Sequence, residues 1–483
     1  MSIKSQKSLL KNTVALSIPN WVNPFVSLLL VYVLSRRLGV EGVGQYALLS
    51  SYLSVFSAIA SMGLGGLIVR EITRNPHEIH RLTVNSLLFG LFSSLIAIIV
   101  MDITIGFLNY EREMLLALII GSTYLMPASC SRFLESSFLA VEKSEFTALG
   151  QFFENLTKVA LCTIFILAGY GIVAISAMTV LSKLIGLLLL LIFYFKAVGV
   201  LSLKPKQNVL TMLLKQSPIF LGIAVFSSIY TNVDIILLSK LAGVSSVGIY
   251  SAAAKISQLA VIVPVAFSMA ILPTFSREFV HGLDSLREKT ELSIHYVLII
   301  CFPLVGGIIV LAEKLISLIY GPEFGGSTII LQLMAPSLIP YSLVLILAQT
   351  LIASNYQRID LVINVVAAIL AIGLNCVLIP KFIEFGAVLA GICTLLTFLS
   401  LQVLFITRNM YPLNLLRLAT KPFLASIGMV LVTYSLRETN LLINYLISTI
   451  FYFGLLIVLK GFHPEEMAAI ESVAKRLIHL LKL

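Results

Sequence analysis

A chain of 483 residues in which 59% are hydrophobic and only 12% charged cannot clothe a water-facing surface, since soluble domains devote roughly 25% of their residues to Asp, Glu, Lys and Arg. It reads as an integral membrane protein. Apolar runs about 20 residues long identify helices as its spanning elements, where a β-barrel would show short alternating segments. The net charge of +10 sits mostly in the connections between those runs, where it sets topology, and no nucleic-acid partner is expected.

The first predicted element follows Lys4, Lys7 and Lys11 and runs to Leu34, too far for the apolar core of a cleaved leader, so it is expected to be an uncleaved span. Helices are expected over 12–34, 43–66, 82–103, 114–137, 146–168, 172–194, 215–239, 247–273, 292–312, 327–352, 359–380, 385–406, 418–436 and 440–459, because backbone groups in hydrocarbon must be bonded within their own segment. The expected fold class is an all-α polytopic membrane protein of about fourteen transmembrane helices.

Between predicted helices 1 and 2 stands LSRRLGVEGVGQY, residues 34–46, and between helices 7 and 8 stands LSKLAGVSSVGIY, residues 238–250. Ser35 and Ser239, Arg36 and Lys240, Gly39 and Gly243, Val40 and Val244, Gly44 and Gly248, and Tyr46 and Tyr250 correspond, while Arg37 belongs to the first copy alone. A fainter echo follows each copy, Ser61-Met62 with Arg70-Glu71 and Ser268-Met269 with Arg277-Glu278. The chain therefore reads as two homologous halves. They are a lobe of helices 1–6 (1–200) and a lobe of helices 7–12 (201–410), followed by helices 13 and 14 (411–460) and a tail (461–483). In the tail, from His463, Met467, Ile470, Ala474, Leu477 and Leu481 form the apolar stripe of an interfacial helix.

With a cytoplasmic N-terminus the outer connections hold Arg36, Arg37, Arg112, Lys240, Lys314, Lys381 and Arg437, and the inner connections and tails hold most of the other Lys and Arg. That excess of cations inside fixes the orientation. Both termini are expected in the cytoplasm, and both copies of the repeat at the outer face. The halves then run in the same direction, related by an axis along the membrane normal. The repeat glycines are expected to make tight turns and close helix approaches there, a scaffold and gate formed by Arg36, Arg37, Gly39, Gly44, Gly243 and Gly248.

Charges inside the spans are costly and point to a water-filled path or to ion pairs. They are Arg132 and Glu135 in helix 4, Glu154 and Lys158 in helix 5, Lys183 in helix 6, Asp234 in helix 7 and Lys255 in helix 8. Glu154 and Lys158, four apart, can pair on one helix face. Asp234 and Lys255 fall at similar depth and can pair between helices. Lys183, with no carboxylate on its own helix, is expected to face the lumen. Helix 1 adds Ser17, Asn20, Asn23 and Ser27 on one face, with Pro19 and Pro24 interrupting its backbone bonding. Pro127 in helix 4 and Pro336 and Pro340 in helix 10 take matching places in their halves.

Catalytic signatures are lacking. The chain has no phosphate-binding loop, no H-E-x-x-H and no G-x-S-x-G. Its cysteines, Cys130, Cys162, Cys301, Cys376 and Cys393, lie in apolar runs without C-x-x-C spacing, so neither a disulfide framework nor a metal site is expected. No enzyme activity and no cofactor are expected. The sequon at Asn155 lies inside a span.

Two six-helix halves joined near residue 215, with Arg37-Leu38-Gly39 followed by Gly44-Gln45-Tyr46 and the fainter Gly243 and Gly248-Ile249-Tyr250, resemble the multidrug/oligosaccharidyl-lipid/polysaccharide exporter superfamily, and within it the polysaccharide-repeat-unit flippase branch. The resemblance implies two pseudo-symmetric lobes around a central cavity. It also implies movement of a polyprenyl-pyrophosphate-linked oligosaccharide from the inner to the outer leaflet of the plasma membrane by alternating access. The cavity is then lined by Arg132, Lys158, Lys183, Lys255, Asp234, Glu154, Asn20 and Asn23. The two extra helices are placed at a groove for the lipid tail. Implied partners are the lipid-linked oligosaccharide, membrane lipid, H+ or Na+ as coupling ion, and a glycan polymerase or glycosyltransferases. The alternatives are a cation-coupled multidrug exporter of the same superfamily, against which helix 1 carries no carboxylate, and a membrane glycan polymerase or ligase, against which the outer loops are short.

Overall fold

The computed structural model describes residues 3–199 and 207–462, with side chains over 23–199 and 208–462. The interfacial helix expected from His463, and the side chains of Ser17 and Asn20, lie outside the described residues. Among the described residues there are sixteen α-helices and no strand. They are α1 (Ile3–Ala60), α2 (Gly65–Arg74), α3 (Ile79–Phe107), α4 (Arg112–Ser122), α5 (Leu125–Ala140), α6 (Ser144–Leu167), α7 (Ile172–Ala197), α8 (Gln207–Leu241), α9 (Val244–His281), α10 (Leu283–Ile319), α11 (Gly325–Met334), α12 (Leu338–Ala353), α13 (Gln357–Phe382), α14 (Glu384–Asn409), α15 (Leu415–Ser435) and α16 (Leu441–Val458).

Among the described residues 12 helical stretches are long and apolar enough to cross a membrane, against the fourteen expected. Two features account for the difference. Asn23–Arg74 counts as one stretch of 52 residues, because the expected turn between the first two helices is a single residue, Gly39. The other is α6, whose Gln151, Glu154, Asn155 and Lys158 lower its hydropathy and keep it out of the count.

The chain forms two compact units. One comprises Met1–Ala252, Ile319–Phe324 and Val365–Gly391, and the other Ala253–Leu318, Gly325–Asn364 and Ile392–Leu483. In the first unit α1 packs along α6 and α8, α6 on α7, and α3 on α5. Met62 (φ 49°) and Gly63 (φ 64°) turn the chain from α1 into α2. The apolar face of α2, Leu67, Ile68 and Ile72, then packs with Leu82 and Phe89 of α3, Phe133 of α5 and Leu213 of α8. The carbonyl of Ala60, left open where α1 ends, accepts the hydroxyls of Ser93 at 2.6 Å and Ser129 at 3.0 Å. A helix end in hydrocarbon needs such donors, because no water is present to supply them.

In the second unit α15 and α16 pack on each other and on α10. Gly307 of α10 admits the Tyr445 ring, whose Cε2 would stand 2.6 Å from an added Cβ. Small residues let membrane helices approach closely. Pro303 of α10 has no amide to give the Ile299 carbonyl, four residues earlier, and the Tyr452 hydroxyl donates to that carbonyl at 3.0 Å. In α8 of the first unit, Ser217 donates at 3.0 Å to the Leu214 carbonyl that Pro218 leaves open. The prolines matched between the halves also act. The predicted helix 4 divides into α4 and α5 just before Pro127, and the predicted helix 10 divides into α11 and α12 at the 3-10 turn Ala335–Ser337 that holds Pro336.

Candidate functional site

A cluster of charged and hydrogen-bonding side chains lies inside the first unit, where α1, α5, α6 and α7 meet. Lys183 of α7 is 8% exposed, and its ammonium donates to Glu154 Oε2 of α6 at 2.9 Å. The expected pairing of Glu154 with Lys158 along one helix is replaced by this pairing across two. The packing explains the choice. A Cβ on Gly186, one turn beyond Lys183, would lie 3.0 Å from both Cβ and Cγ of Glu154, so the glycine makes the space in which the glutamate lies against α7. The Lys183 ammonium also stands 5.8 Å from the centre of the Tyr124 ring, at the junction of α4 and α5. Lys183 is thus a paired cation, where the sequence pointed to one facing a lumen alone.

Asn155, next to Glu154, is buried and donates to the Asn23 carbonyl at 3.1 Å and to Asn23 Oδ1 at 3.3 Å. One face of α6 therefore holds α1, and the sequon asparagine serves that contact. Lys158 lies one turn further along α6 and is half-buried. Among the described residues no carboxylate lies within ion-pair distance of it and it makes no hydrogen bond. Arg132 and Glu135 of α5 stand 4.0 Å apart, with 65% of the arginine side chain exposed and 12% of the glutamate.

The two repeat copies meet within the first unit. Gly39 (φ 63°, ψ −159°) and Gly243 (φ 90°) occupy backbone conformations that favour glycine, and they turn the chain. Gly44 and Gly248 allow a contact that is reciprocal. A Cβ on Gly44 would overlap the Val244 carbonyl oxygen and lie 2.9 Å from the Gly248 nitrogen. A Cβ on Gly248 would overlap the Val40 carbonyl oxygen and lie 2.9 Å from Val40 Cγ1. Val40 and Val244 are themselves corresponding residues, so each copy offers the same glycine to the same carbonyl of the other.

The residues just before the turns bind in a crossed pattern. In the first copy Ser35 donates to the Ile319 carbonyl at 3.4 Å, and the Arg36 guanidinium lies 5.5 Å from the Tyr32 ring centre and against Gly321, past the end of α10. Arg37 is exposed. In the second copy Ser239 shares a hydrogen bond with Tyr110 at 3.2 Å. Lys240 donates to the Leu108 carbonyl and sits 3.1 Å from the Tyr110 ring centre, past the end of α3. Burial pushes the Tyr110 phenol above its ordinary range, so the contact with Lys240 is one between a cation and a neutral ring. Tyr110 reaches on to Tyr52, oxygen to oxygen at 3.0 Å.

Asp234 of α8 accepts from the Tyr250 hydroxyl and, at 2.9 Å, from the Ile235 amide. Lys255 lies half-buried on α9 in the second unit. Of the cysteines, Cys130, Cys162 and Cys301 are buried and Cys376 and Cys393 are exposed. No group of His, Cys, Asp and Glu that could hold a metal ion occurs among the described residues. Sequence reasoning passed over Tyr124 and Asp102. Asp102 Oδ1 is buried with no hydrogen-bond partner among the described residues. Its setting in the apolar run IIVMDITIGF was the available signal.

Residues 9–279 match the family described as polysaccharide biosynthesis protein, and residues 218–377 match the MatE family. A curated relative, "Probable low-salt glycan biosynthesis flippase Agl15" of Haloferax volcanii, is 22% identical over 396 residues, 81% of each chain. Among solved structures, the lipid II flippase MurJ in an inward closed conformation superposes with a TM-score of 0.78 at 15% identity, covering 92% of this chain and 98% of that one. An inward-facing multidrug resistance MATE transporter of the MOP superfamily superposes at 0.67 with 16% identity, covering 82% and 98%. These likenesses establish a shared fold.

Proposed function

This chain belongs to the polysaccharide biosynthesis protein family, and on that premise we propose that it is a transporter, not an enzyme, that carries a lipid-linked oligosaccharide across the membrane. The curated relative is named as a glycan biosynthesis flippase, and one structural neighbour is a lipid II flippase. The observation that carries the reading to the residues is the cluster of Arg132, Lys158 and Lys183 set against Glu135 and Glu154. A polyprenyl-pyrophosphate-linked glycan has a head too polar for hydrocarbon and an anionic linkage. A hydrated interior with more cations than carboxylates suits the head while the tail stays in lipid.

The direction is from the inner to the outer leaflet of the plasma membrane, with the termini in the cytoplasm. With a negative interior, outward movement of anionic charge is favoured by about 2.3 kcal/mol per charge per 100 mV. Arg36, Arg37, Gly39, Gly44, Gly243 and Gly248 form the gate at the outer end. Asp234 and Asn23 line the path, and an H+ or Na+ gradient resets it. A glycan polymerase or glycosyltransferases act on either side of the step.

Lipid analysis of a strain lacking the chain tests this. Accumulation of one lipid-linked oligosaccharide in the inner leaflet, reversed by the wild-type chain, is the expected result. The MatE match and the multidrug neighbours favour a second reading, export of cationic compounds. A strain that gains drug sensitivity and accumulates no lipid-linked glycan would establish it instead.

A further inference from the structure

We propose that the seam between the second half of α1 and the middle of α8 reads the glycan, with the hydroxyls of Ser50 and Ser54 and the side-chain oxygen of Asn232 hydrogen-bonding the uncharged hydroxyl groups of a sugar. The inference rests on the reading of the chain as a carrier of lipid-linked glycans, and it names the part that answers to the sugar and not to its anionic linkage.

Serine in a membrane helix ordinarily returns its proton to a carbonyl three or four residues back, since hydrocarbon offers no other acceptor. Ser27, Ser61, Ser86 and Ser94 all do so. Ser50 and Ser54, one turn apart on a single face of α1, are exposed, and among the described residues neither hydroxyl donates to a protein acceptor. The same face continues to Ser57, whose hydroxyl oxygen is buried without a partner among the described residues. Ser54 is the point of contact with α8, where its oxygen accepts from Asn232 Nδ2 at 3.3 Å. Asn232 stands about 14 Å before the end of α8 at Leu241, at about 1.5 Å per residue, which is near the middle of a membrane. Exposed hydroxyls at that depth are at home against water and not against lipid tails, so this face borders an aqueous path.

The Asn232 amide is oriented by its own helix. Its nitrogen donates at 2.9 Å to the Ser228 carbonyl and at 2.9 Å to Thr231 Oγ1. Thr231 gives its single proton to the carbonyls of Ser227 and Ser228, so its oxygen can only accept, and the nitrogen end of the amide must face it. Asn232 Oδ1 is thereby turned away from these groups, and among the described residues nothing donates to it. The open Ser54 proton and the open Asn232 oxygen are thus a neighbouring donor and acceptor, joined through one 3.3 Å contact. A phosphate or carboxylate supplies acceptors alone, and a cation takes acceptors alone. A sugar hydroxyl, which donates and accepts at once, satisfies both. The repeat shows that the fold does not demand these groups. At the register that pairs Leu34 with Leu238, Ser50, Ser54 and Ser57 correspond to Ala254, Gln258 and Val261, and Asn232 corresponds to Leu28.

The test uses the purified full chain in lipid nanodiscs, with thermal unfolding followed against a polyprenyl pyrophosphate and against the same lipid carrying a neutral disaccharide. Wild type binds the disaccharide lipid more tightly than the bare one. Ser54→Ala and Asn232→Ala each weaken the titration by the disaccharide lipid about two- to tenfold, the range for losing one neutral hydrogen bond, and leave the midpoint for the bare lipid in place. Ser54→Thr keeps a hydroxyl and keeps the preference. The bare lipid is the internal reference, because a variant that merely folds less well moves both midpoints alike. No gain from the disaccharide in wild type, an equal shift for both lipids, or no shift in either alanine variant would overturn the patch. Flipping of the two lipids in proteoliposomes separates the two claims. If wild type binds the disaccharide lipid through Ser54 and Asn232 but flips no lipid-linked glycan, the function is wrong and the patch stands. If both alanine variants flip it with the wild-type preference over the bare lipid, the patch is wrong and the function stands.

Discussion

Gly44→Ala places one methyl group against backbone. Its carbon would overlap the Val244 carbonyl oxygen and stand 2.9 Å from the Gly248 nitrogen. An ordinary C···O contact is about 3.3 Å, so the two repeat copies must part by roughly 1 Å. No side chain can rotate away to relieve the overlap, and forced overpacking of this kind costs about 1–3 kcal/mol. At a factor of ten per roughly 1.4 kcal/mol, the population with the copies in contact falls by about 5- to 150-fold relative to the parted one. Gly248→Ala acts on the same seam through Val40 and has the same expected size. Once either methyl group has opened the seam, the second finds the space already made, so the double variant costs less than the sum. The assay is the rate at which a membrane-impermeant maleimide labels Val40→Cys in a background where the five native cysteines are replaced. Each alanine should raise the rate, and the pair should raise it sub-additively. A labelling rate unmoved by Gly44→Ala, or fully additive effects, would refute the reciprocal seam.

Tyr452→Phe strands the Ile299 carbonyl that Pro303 leaves open and should destabilise the second unit by about 1–3 kcal/mol, read as a lower melting temperature. Pro303→Ala restores an amide donor and should recover much of that loss in the double variant, and no recovery would count against the account of the kink. Lys183→Met and Glu154→Leu singly leave a buried charge, at about 3–5 kcal/mol each, whereas the double variant should be near wild type in thermal stability. Equal damage from the double variant would mean that the pair does more than neutralise itself. Lys240→Met removes a cation from the Tyr110 ring and a donor from the Leu108 carbonyl. It should cost about 0.5–2 kcal/mol, measured by chemical denaturation.

The turns and the polar helix 6 of the structure show what one-dimensional reading could reach. Gly39 and Gly243 were legible because a left-handed backbone in a short connection leaves few residues other than glycine, and Gly44 and Gly248 because they recur at the same register. Their mutual contact was not, because a repeat announces likeness and not which copy touches which carbonyl. Glu154 shows the opposite failure. Helical spacing offered Lys158 as its partner, but interhelical packing decided the matter through Gly186, a residue with no charge to draw notice. Tyr124 escaped notice for a related reason. It counts as apolar mass in a hydropathy profile, and only tertiary placement shows its ring 5.8 Å from the Lys183 ammonium.

The seam between the repeats meets the definition of an isologous join, in which position i of one copy meets position j of the other, and j meets i. Gly44 goes to Val244 and Gly248 to Val40. A surface that is its own complement needs only one half-length gene, used twice. This chain thus holds the join of a two-fold homodimer inside one polypeptide, and covalent linkage releases the copies from having to be identical. The second copy could bond its tyrosine, Tyr250, to Asp234 while the first copy kept Leu30 at the aspartate's place, a difference that two identical subunits cannot have. Two half-chains divided between residues 199 and 207 and expressed together should therefore find each other and copurify, and should lose that association when Gly44 and Gly248 both carry alanine.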